Sequence, residues 1–143
     1  MNLRRLAAAV ALLGFAGLAT NSDAESPIYG HWRTPRFHGL VDIHPCGGRV
    51  CGTLVSTDQI AANPALLDAM NRDHALRTRR LRGVLLIQGA VGPSGKWTDG
   101  QFYNPSDGKT YSGSLEVMEN GQLKVTACIN VLLCRSETWT RAE

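Results

Sequence analysis

The sequence predicts an all-β domain: an antiparallel up-and-down barrel of about eight strands with one short helix. From residue 29 onward, short β-rich runs are separated by glycine, proline and Asn/Asp signals, a pattern typical of sandwiches and barrels. Most connections are only a few residues long, so consecutive strands should be antiparallel neighbours. Pairing of the first and last strands would then remove the exposed sheet edges.

The strands are predicted at residues 30–34, 40–46, 50–56, 83–91, 96–104, 109–119, 122–129 and 134–141. Residues 57–82, between the third and fourth strands, form the one long stretch without a β pattern. Asn63 followed by Pro64 is a cap and first-turn signal, and apolar residues follow at helical spacing. We therefore predict a short helix from Pro64 to Met70.

Two hairpins can be aligned from their side-chain patterns. Around Gly121, a three-residue loop pairs Leu115 with Val125 and Glu116 with Lys124, whereas a two-residue loop would set apolar residues opposite charged ones. The three-residue loop is therefore predicted.

In the hairpin at residues 105–108, a type I turn with Gly108 in the left-handed conformation is predicted to set Tyr103 directly opposite Tyr111. Packing that holds the strand register is the favoured role of this aromatic pair, and a ligand platform is the alternative.

Residues 1–24 are predicted to be a secretory signal peptide, since two arginines precede an apolar run that is too short to span a bilayer. The single domain then comprises residues 25–143, a length suited to one hydrophobic core. We expect a periplasmic or secreted protein with no transmembrane segment after cleavage.

Four cysteines fall into two close pairs, and an exported chain reaches an oxidising compartment. We expect the disulfides Cys46–Cys51 and Cys128–Cys134. Two other connectivities are open, as is a zinc site built from four thiolates, although neither pair has the usual two-residue spacing of zinc knuckles.

The formal net charge of +3 specifies no acidic partner. Five arginines crowd residues 72–82, but neither interleaved aromatic residues nor a groove-entering motif accompanies them, so we expect a solvated face and no nucleic acid partner. No nucleophile turn, phosphate loop or zinc-protease motif is present, and the four histidines lack a persuasive ligand spacing. We expect no enzyme activity, no cofactor and no metal.

Gly30-His31-Trp32 on the first strand, together with Arg141 at the end of the last, resembles the lipocalin-like barrels. The resemblance implies that Arg141 covers the indole of Trp32 and closes one end of the barrel. A cation over an indole contributes on the order of 0.5–2 kcal/mol, which favours closure.

A likeness to one family extends over almost all of residues 25–143. It is carried by the segments 46–52 (CGGRVCG), 76–83 (LRTRRLRG), 103–111 (YNPSDGKTY) and 138–141 (TWTR). These segments are similar to a family of small exported bacterial proteins catalogued as a domain of unknown function, which implies a lipocalin-like barrel. The chain departs from the family pattern in its middle stretch, where residues before Asn71 look inserted and any role carried over to this loop is in doubt.

A small barrel of this kind holds a ligand in the end opposite its closure. Pairing of Cys128 with Cys134 points Arg135, Glu137 and Trp139 inward, whereas a register slip of one residue would place both charges in solvent. The residues proposed to contact a ligand are Arg79, Trp97, Tyr103, Tyr111, Arg135, Glu137 and Trp139.

The apolar loop Ile129 to Leu133 is expected to fold as a cap over one barrel end, with an exposed patch for a partner or membrane surface as the alternative. The preferred function is binding of a small, partly apolar molecule inside the barrel. The alternative is a cell-envelope protein interaction module with a filled barrel, using this loop and the arginine-rich stretch.

Overall fold

The computed structural model describes residues 26–90, 92 and 95–143. These form a closed antiparallel barrel in which each strand pairs with the next and β1 returns to pair with β8, confirming the predicted fold class. The strands are β1 (Gly30–Arg33), β2 (Leu40–Cys46), β3 (Arg49–Ser56), β4 (Leu85–Ala90), β5 (Lys96–Asn104), β6 (Lys109–Val117), β7 (Leu123–Asn130) and β8 (Leu133–Arg141). The predicted signal peptide, residues 1–24, lies outside the described residues.

Alternation of side chains along the strands builds the core. In β2, Val41 and Ile43 are buried, while Asp42 between them lies on the outer face. Successive side chains of a strand point to opposite faces, so apolar residues at every second position fill the interior. Each fully buried aliphatic side chain contributes about 1.5–3 kcal/mol, which makes this interior the main source of stability.

A pair of glycines admits one aromatic ring into the barrel. Gly100 of β5 lies directly opposite Gly113 of β6, and a Cβ atom at either position would collide with the ring of Phe102. Glycine in a strand often marks such a close approach. The two glycines thus leave the space in which Phe102 packs.

One end of the barrel is closed around Trp32, which is fully buried. Trp32 pairs with Arg141 across β1 and β8, and the guanidinium carbon lies 4.1 Å from the indole centroid. Arg141 Nη1 also donates to the Tyr29 carbonyl at 2.6 Å, while Trp32 Nε1 donates to the Ile28 carbonyl at 2.7 Å. Gly30 has a φ of +116°, and a Cβ there would lie 3.0 Å from Arg141 Nη1, so the close approach requires glycine.

The register predicted for the β6–β7 hairpin is confirmed. Leu115 pairs with Val125, and Glu116 pairs with Lys124, so apolar and charged residues are sorted onto opposite faces. Gly121 has a φ of +79° in the connecting loop, as the three-residue loop requires.

The predicted pairing of Tyr103 with Tyr111 is wrong by one residue. Tyr111 lies opposite Phe102, and Tyr103 lies opposite Thr110. The predicted register would have placed Pro105 in the ladder, where its missing N–H group could not pair. The turn therefore contains four residues, 105–108, while Gly108 adopts the expected left-handed conformation with φ +68°.

The predicted helix from Pro64 to Met70 is also wrong. The helix α1 comprises Asp58–Ala62 and ends at Asn63. Its cap is Thr57, whose hydroxyl accepts a hydrogen bond from the Ile60 amide at 3.1 Å, and Ile60 is buried. The Thr57 cap starts the helix at Asp58, six residues before the predicted start, and Asn63, the predicted cap, is the residue at which the helix ends.

The segment that follows is bent back on itself instead of helical. Leu67 pairs with Arg80, and the Leu81 amide donates to the Leu66 carbonyl at 2.8 Å. A short 3-10 helix, His74–Leu76, lies between the two paired stretches. The arginine-rich stretch is thus the returning half of a folded loop.

The strand order divides the connections between two ends. We call the end with the β1–β2, β3–β4, β5–β6 and β7–β8 connections the mouth, and the end with the Trp32–Arg141 pair the base. The disulfide Cys46–Cys51 lies in the β2–β3 hairpin at the base, and Cys128–Cys134 lies in the β7–β8 hairpin at the mouth. All four cysteines are used, so the zinc alternative does not apply.

Candidate ligand-binding cavity

A cavity of about 1190 Å³ opens at the mouth, and its lining includes residues of the β1–β2, β3–β4 and β5–β6 connections and of the mouth ends of β7 and β8. This volume is large enough for a small organic molecule, for which sites are typically about 300–1,000 Å³. The cavity extends from the loops of the mouth to Ile87, Phe102 and Trp139 on the barrel strands. The apolar wall consists of Leu54, Leu66, Leu81, Ile87, Phe102, Val125, Ala127 and Trp139.

Three residues of β8 that were expected to point inward line this cavity: Arg135, Glu137 and Trp139. Cys128 pairs with Cys134 and Ala127 with Arg135, so the one-residue slip does not occur. Since β8 runs from the mouth to the base, Arg135 lies near the entrance and Trp139 lies deepest of the three.

Glu137 and Trp139 are joined by a hydrogen bond, in which the indole Nε1 donates to Glu137 Oε1 at 2.6 Å. The bond satisfies the polar atom of a buried indole. Arg135 has no carboxylate within 4.0 Å and no side-chain hydrogen bond within residues 26–90, 92 and 95–143. Arg135 is exposed at the entrance, so its guanidinium is in contact with water and open to a ligand that enters the cavity.

A buried carboxylate, Asp68, anchors the β3–β4 loop at the mouth. Arg79 donates to it through Nε at 2.9 Å and Nη2 at 2.8 Å, and Tyr103 donates its hydroxyl to the second oxygen at 2.5 Å. Asn71 adds a fourth donor at 2.8 Å. A carboxylate that is only 1% exposed requires such partners. The cluster therefore fastens the loop to β5.

The pKa of Tyr103 is shifted by its position in this cluster. Burial, followed by its hydrogen bond to Asp68, raises the pKa of Tyr103 from 10.0 to about 12. Tyr103 lines the cavity, and the Arg79 guanidinium lies 5.8 Å from its ring centroid. The Tyr103 hydroxyl and the Arg79 guanidinium are thus committed to Asp68 in this structure.

Sequence reasoning did not identify Asp68. A single acidic residue within the apolar run of residues 66–70 was the available signal, because an acid there must find a partner if the run is buried. Part of the arginine-rich stretch is explained in the same way, since Arg77 Nε donates to the Asn71 carbonyl at 2.6 Å. Arg79 and Arg77 hold the loop, whereas Arg72, Arg80 and Arg82 are exposed.

The other two aromatic candidates occupy different positions. Tyr111 lines the cavity and donates its hydroxyl to Asp107 at 2.5 Å, a hydrogen bond that raises the pKa of Tyr111. Trp97 is buried opposite Leu115 and is not among the cavity-lining residues. The structure therefore brings Tyr103, Tyr111 and Trp139 to the cavity and places Trp97 in the core.

The mouth also carries an exposed apolar tip, residues 129–133 of the β7–β8 hairpin. Val131 is 96% exposed and Leu132 is 92% exposed, so the expected cap over a barrel end is wrong. The Asn130 side chain accepts hydrogen bonds from the amides of Leu132 and Leu133, and the disulfide at the foot of the tip fixes the hairpin. The tip continues the β7–β8 ladder, with Val131 and Leu132 in solvent and Ile129 and Leu133 bordering the cavity.

No group of three or more His, Cys, Asp and Glu side chains in the described part of the chain is arranged to hold a metal ion. Among the same residues, no helix has the length and apolar character that crossing a membrane requires.

A closed eight-stranded meander with an internal cavity, an open mouth and a tryptophan–arginine pair at its base defines a lipocalin-like barrel. The chain belongs to the family described as uncharacterized proteins conserved in bacteria, DUF2147, whose match covers residues 30–141.

A solved structure supports the same fold. The protein HP1028 from the human pathogen Helicobacter pylori, described as belonging to the lipocalin family, superposes with a TM-score of 0.72 at 24% sequence identity. The similarity covers 81% of this chain and 83% of that one. No curated protein matches the chain.

Proposed function

We propose that the protein binds a small, partly apolar molecule in the barrel cavity. The observation that supports this most directly is the open cavity of about 1190 Å³, whose wall is largely apolar and carries charged groups at a few positions. Binding sites for small molecules combine these two features, because apolar walls supply affinity and a few polar groups orient the ligand.

The binding protein is not an enzyme in this proposal, and it acts after export, in the periplasm or outside the cell. Two disulfides support an oxidising compartment, because thiols are kept reduced in the cytosol.

The test is titration with the uncharged fluorescent dye N-phenylnaphthylamine. Saturable binding with one dye per protein is expected. Ala127 lines the cavity, so Ala127→Trp should fill it and abolish binding. The matched control is Lys124→Trp, since Lys124 is exposed on the same strand and outside the cavity lining, and its replacement should leave binding intact. Absence of saturable binding, or undiminished binding by Ala127→Trp, would contradict the proposal.

The exposed tip favours a second function, an interaction module of the cell envelope in which residues 129–133 contact another protein. Large contiguous apolar patches on a protein surface often mark interaction sites. A photo-crosslinking amino acid at Val131 in intact cells should trap a defined protein, whereas one at Thr126 should not. Identical products from both positions would exclude a specific contact at the tip.

A further inference from the structure

We propose that the ligand of this cavity is an amphipathic anion, whose charged head is bound at the mouth by Arg135 and Arg36 while its apolar chain lies against the barrel wall. The inference rests on the proposed binding function and adds the chemical class of the ligand. It depends on which polar groups of the cavity are already paired and which are not.

The carboxylates that line the cavity are all bound by donors of the protein itself. Asp68 accepts four hydrogen bonds, Asp107 accepts the Tyr111 hydroxyl at 2.5 Å, and Glu137 accepts the Trp139 indole at 2.6 Å. These acceptors are already engaged, so they are poorly suited to recognise a cationic head.

The two arginines that line the cavity, Arg36 and Arg135, are not bound by acceptors of the described residues. Neither Arg36 nor Arg135 has a carboxylate within 4.0 Å or a side-chain hydrogen bond in the part of the chain that the structure describes. Glu137 is two residues from Arg135 on the same face of β8, yet its bonded oxygen is turned to Trp139. Both arginines are exposed to solvent, so the charged groups of the lining that remain open to a ligand are cationic donors.

The barrel order places the two arginines on the same side of the mouth. Arg36 lies in the connection that leaves β1, and β1 is the neighbour of β8, which carries Arg135. Two guanidinium groups on one side of an entrance can share a single carboxylate or phosphate, which accepts paired N–H donors. Below Arg135, the same wall continues through Ala127 and Val125 to Trp139, an apolar surface suited to an alkyl chain.

Calorimetric titration with a matched series of ligands tests the inference: dodecanoate, dodecyl phosphate, dodecanol and dodecyltrimethylammonium, all below their micellar concentrations. The purified protein should bind at least one of the two anions about tenfold or more tightly than the alcohol, and the cation most weakly. The anion that binds more tightly distinguishes a carboxylate head from a phosphate head.

Arg135→Gln should reduce the preference for the anion about tenfold while dodecanol binding stays within a factor of about two. Arg135→Lys should retain part of the preference, and Arg36→Gln should weaken it in the same direction. Arg82 is exposed and outside the cavity lining, so Arg82→Gln should retain the full preference.

The outcomes separate this inference from the binding function. Equal affinity for dodecanol and both anions, or an unchanged preference in Arg135→Gln, would overturn the anionic ligand while leaving an apolar binding site intact. Failure of every member of the series and of N-phenylnaphthylamine to bind would overturn both.

Discussion

The base and the mouth of this barrel each carry an arginine and a tryptophan, but these residues have different roles at the two ends. At the base, Arg141 covers the indole of Trp32 and donates to backbone carbonyls, so a charged group seals a packed interior. At the mouth, Arg135 precedes Trp139 by four residues on β8, is exposed at the entrance of the cavity, and has no side-chain hydrogen bond to the described residues. An arginine near a tryptophan therefore indicates closure or recognition only when its remaining hydrogen-bond partners are known.

The two ends also differ in how their loops are held. Short hairpins and the fully buried Trp32 complete the base, whereas the mouth depends on one buried carboxylate, Asp68, to fasten a long loop. Stability should therefore be concentrated at the base, and the mouth should tolerate more change.

The largest effect is expected at the base. Trp32→Ala should lower the free energy of unfolding by about 3–5 kcal/mol, because it leaves a cavity and an uncovered guanidinium. Arg141→Gln should cost less, about 0.5–2 kcal/mol, since it removes only the cation over the ring. Urea unfolding followed by circular dichroism measures both. Equal losses in the two variants would show that the indole packs less tightly than described.

The next effect concerns the loop at the mouth. Asp68→Asn should lower the free energy of unfolding by about 1–3 kcal/mol, because Arg79 loses a charged partner at a buried position. Amide hydrogen exchange should then accelerate in residues 66–81 and stay unchanged in β2. Acceleration spread evenly over the barrel would contradict a local anchoring role for Asp68.

A smaller effect depends on pH. Because the pKa of Tyr103 in the folded protein, about 12, lies above its ordinary value of 10.0, the folded state holds this proton more tightly than the unfolded state does. The stabilisation is complete below pH 10.0 and is lost as pH rises toward 12. Tyr103→Phe should remove this part of the pH dependence. Urea unfolding at pH values on both sides of 10.0 tests it, and identical slopes in the two proteins would contradict it.

The smallest effect is expected at the exposed tip. Val131→Ser with Leu132→Ser should change the free energy of unfolding by less than about 0.5 kcal/mol, since both side chains already lie in water. The melting temperature of the double variant, compared with that of the unchanged protein, measures this. A large loss would show that the tip packs against the barrel.

The sequence was sufficient to predict the order of the strands and the closure of the barrel. The pattern of apolar and charged residues fixed the β6–β7 register, because a two-residue loop would set Val117 opposite Lys124 and Glu116 opposite Val125. The pairing of Ala127 with Arg135 and of Val125 with Glu137 followed from one cysteine pair by alternation along the strand.

Tertiary contacts decided the features that the sequence did not reveal. The hairpin at residues 105–108 shifted by one residue because Pro105 cannot donate to the ladder. The loop of residues 57–82 depends on Asp68 meeting Arg79 and Tyr103, a contact between residues up to 35 positions apart that no local pattern encodes. The extended direction of the tip depends on hydrogen bonds from the Leu132 and Leu133 amides to Asn130. A run of apolar residues does not predict these bonds.

The most direct test uses the three tryptophans, of which Trp139 lines the cavity while Trp32 and Trp97 do not. Dodecanol brominated at its terminal carbon quenches indoles only at short range and carries no charge. Its titration should quench part of the tryptophan fluorescence saturably, and Trp139→Phe should abolish that quenching while the protein stays folded. Undiminished quenching in Trp139→Phe, or none in the unchanged protein, would contradict a ligand cavity between the mouth and the base.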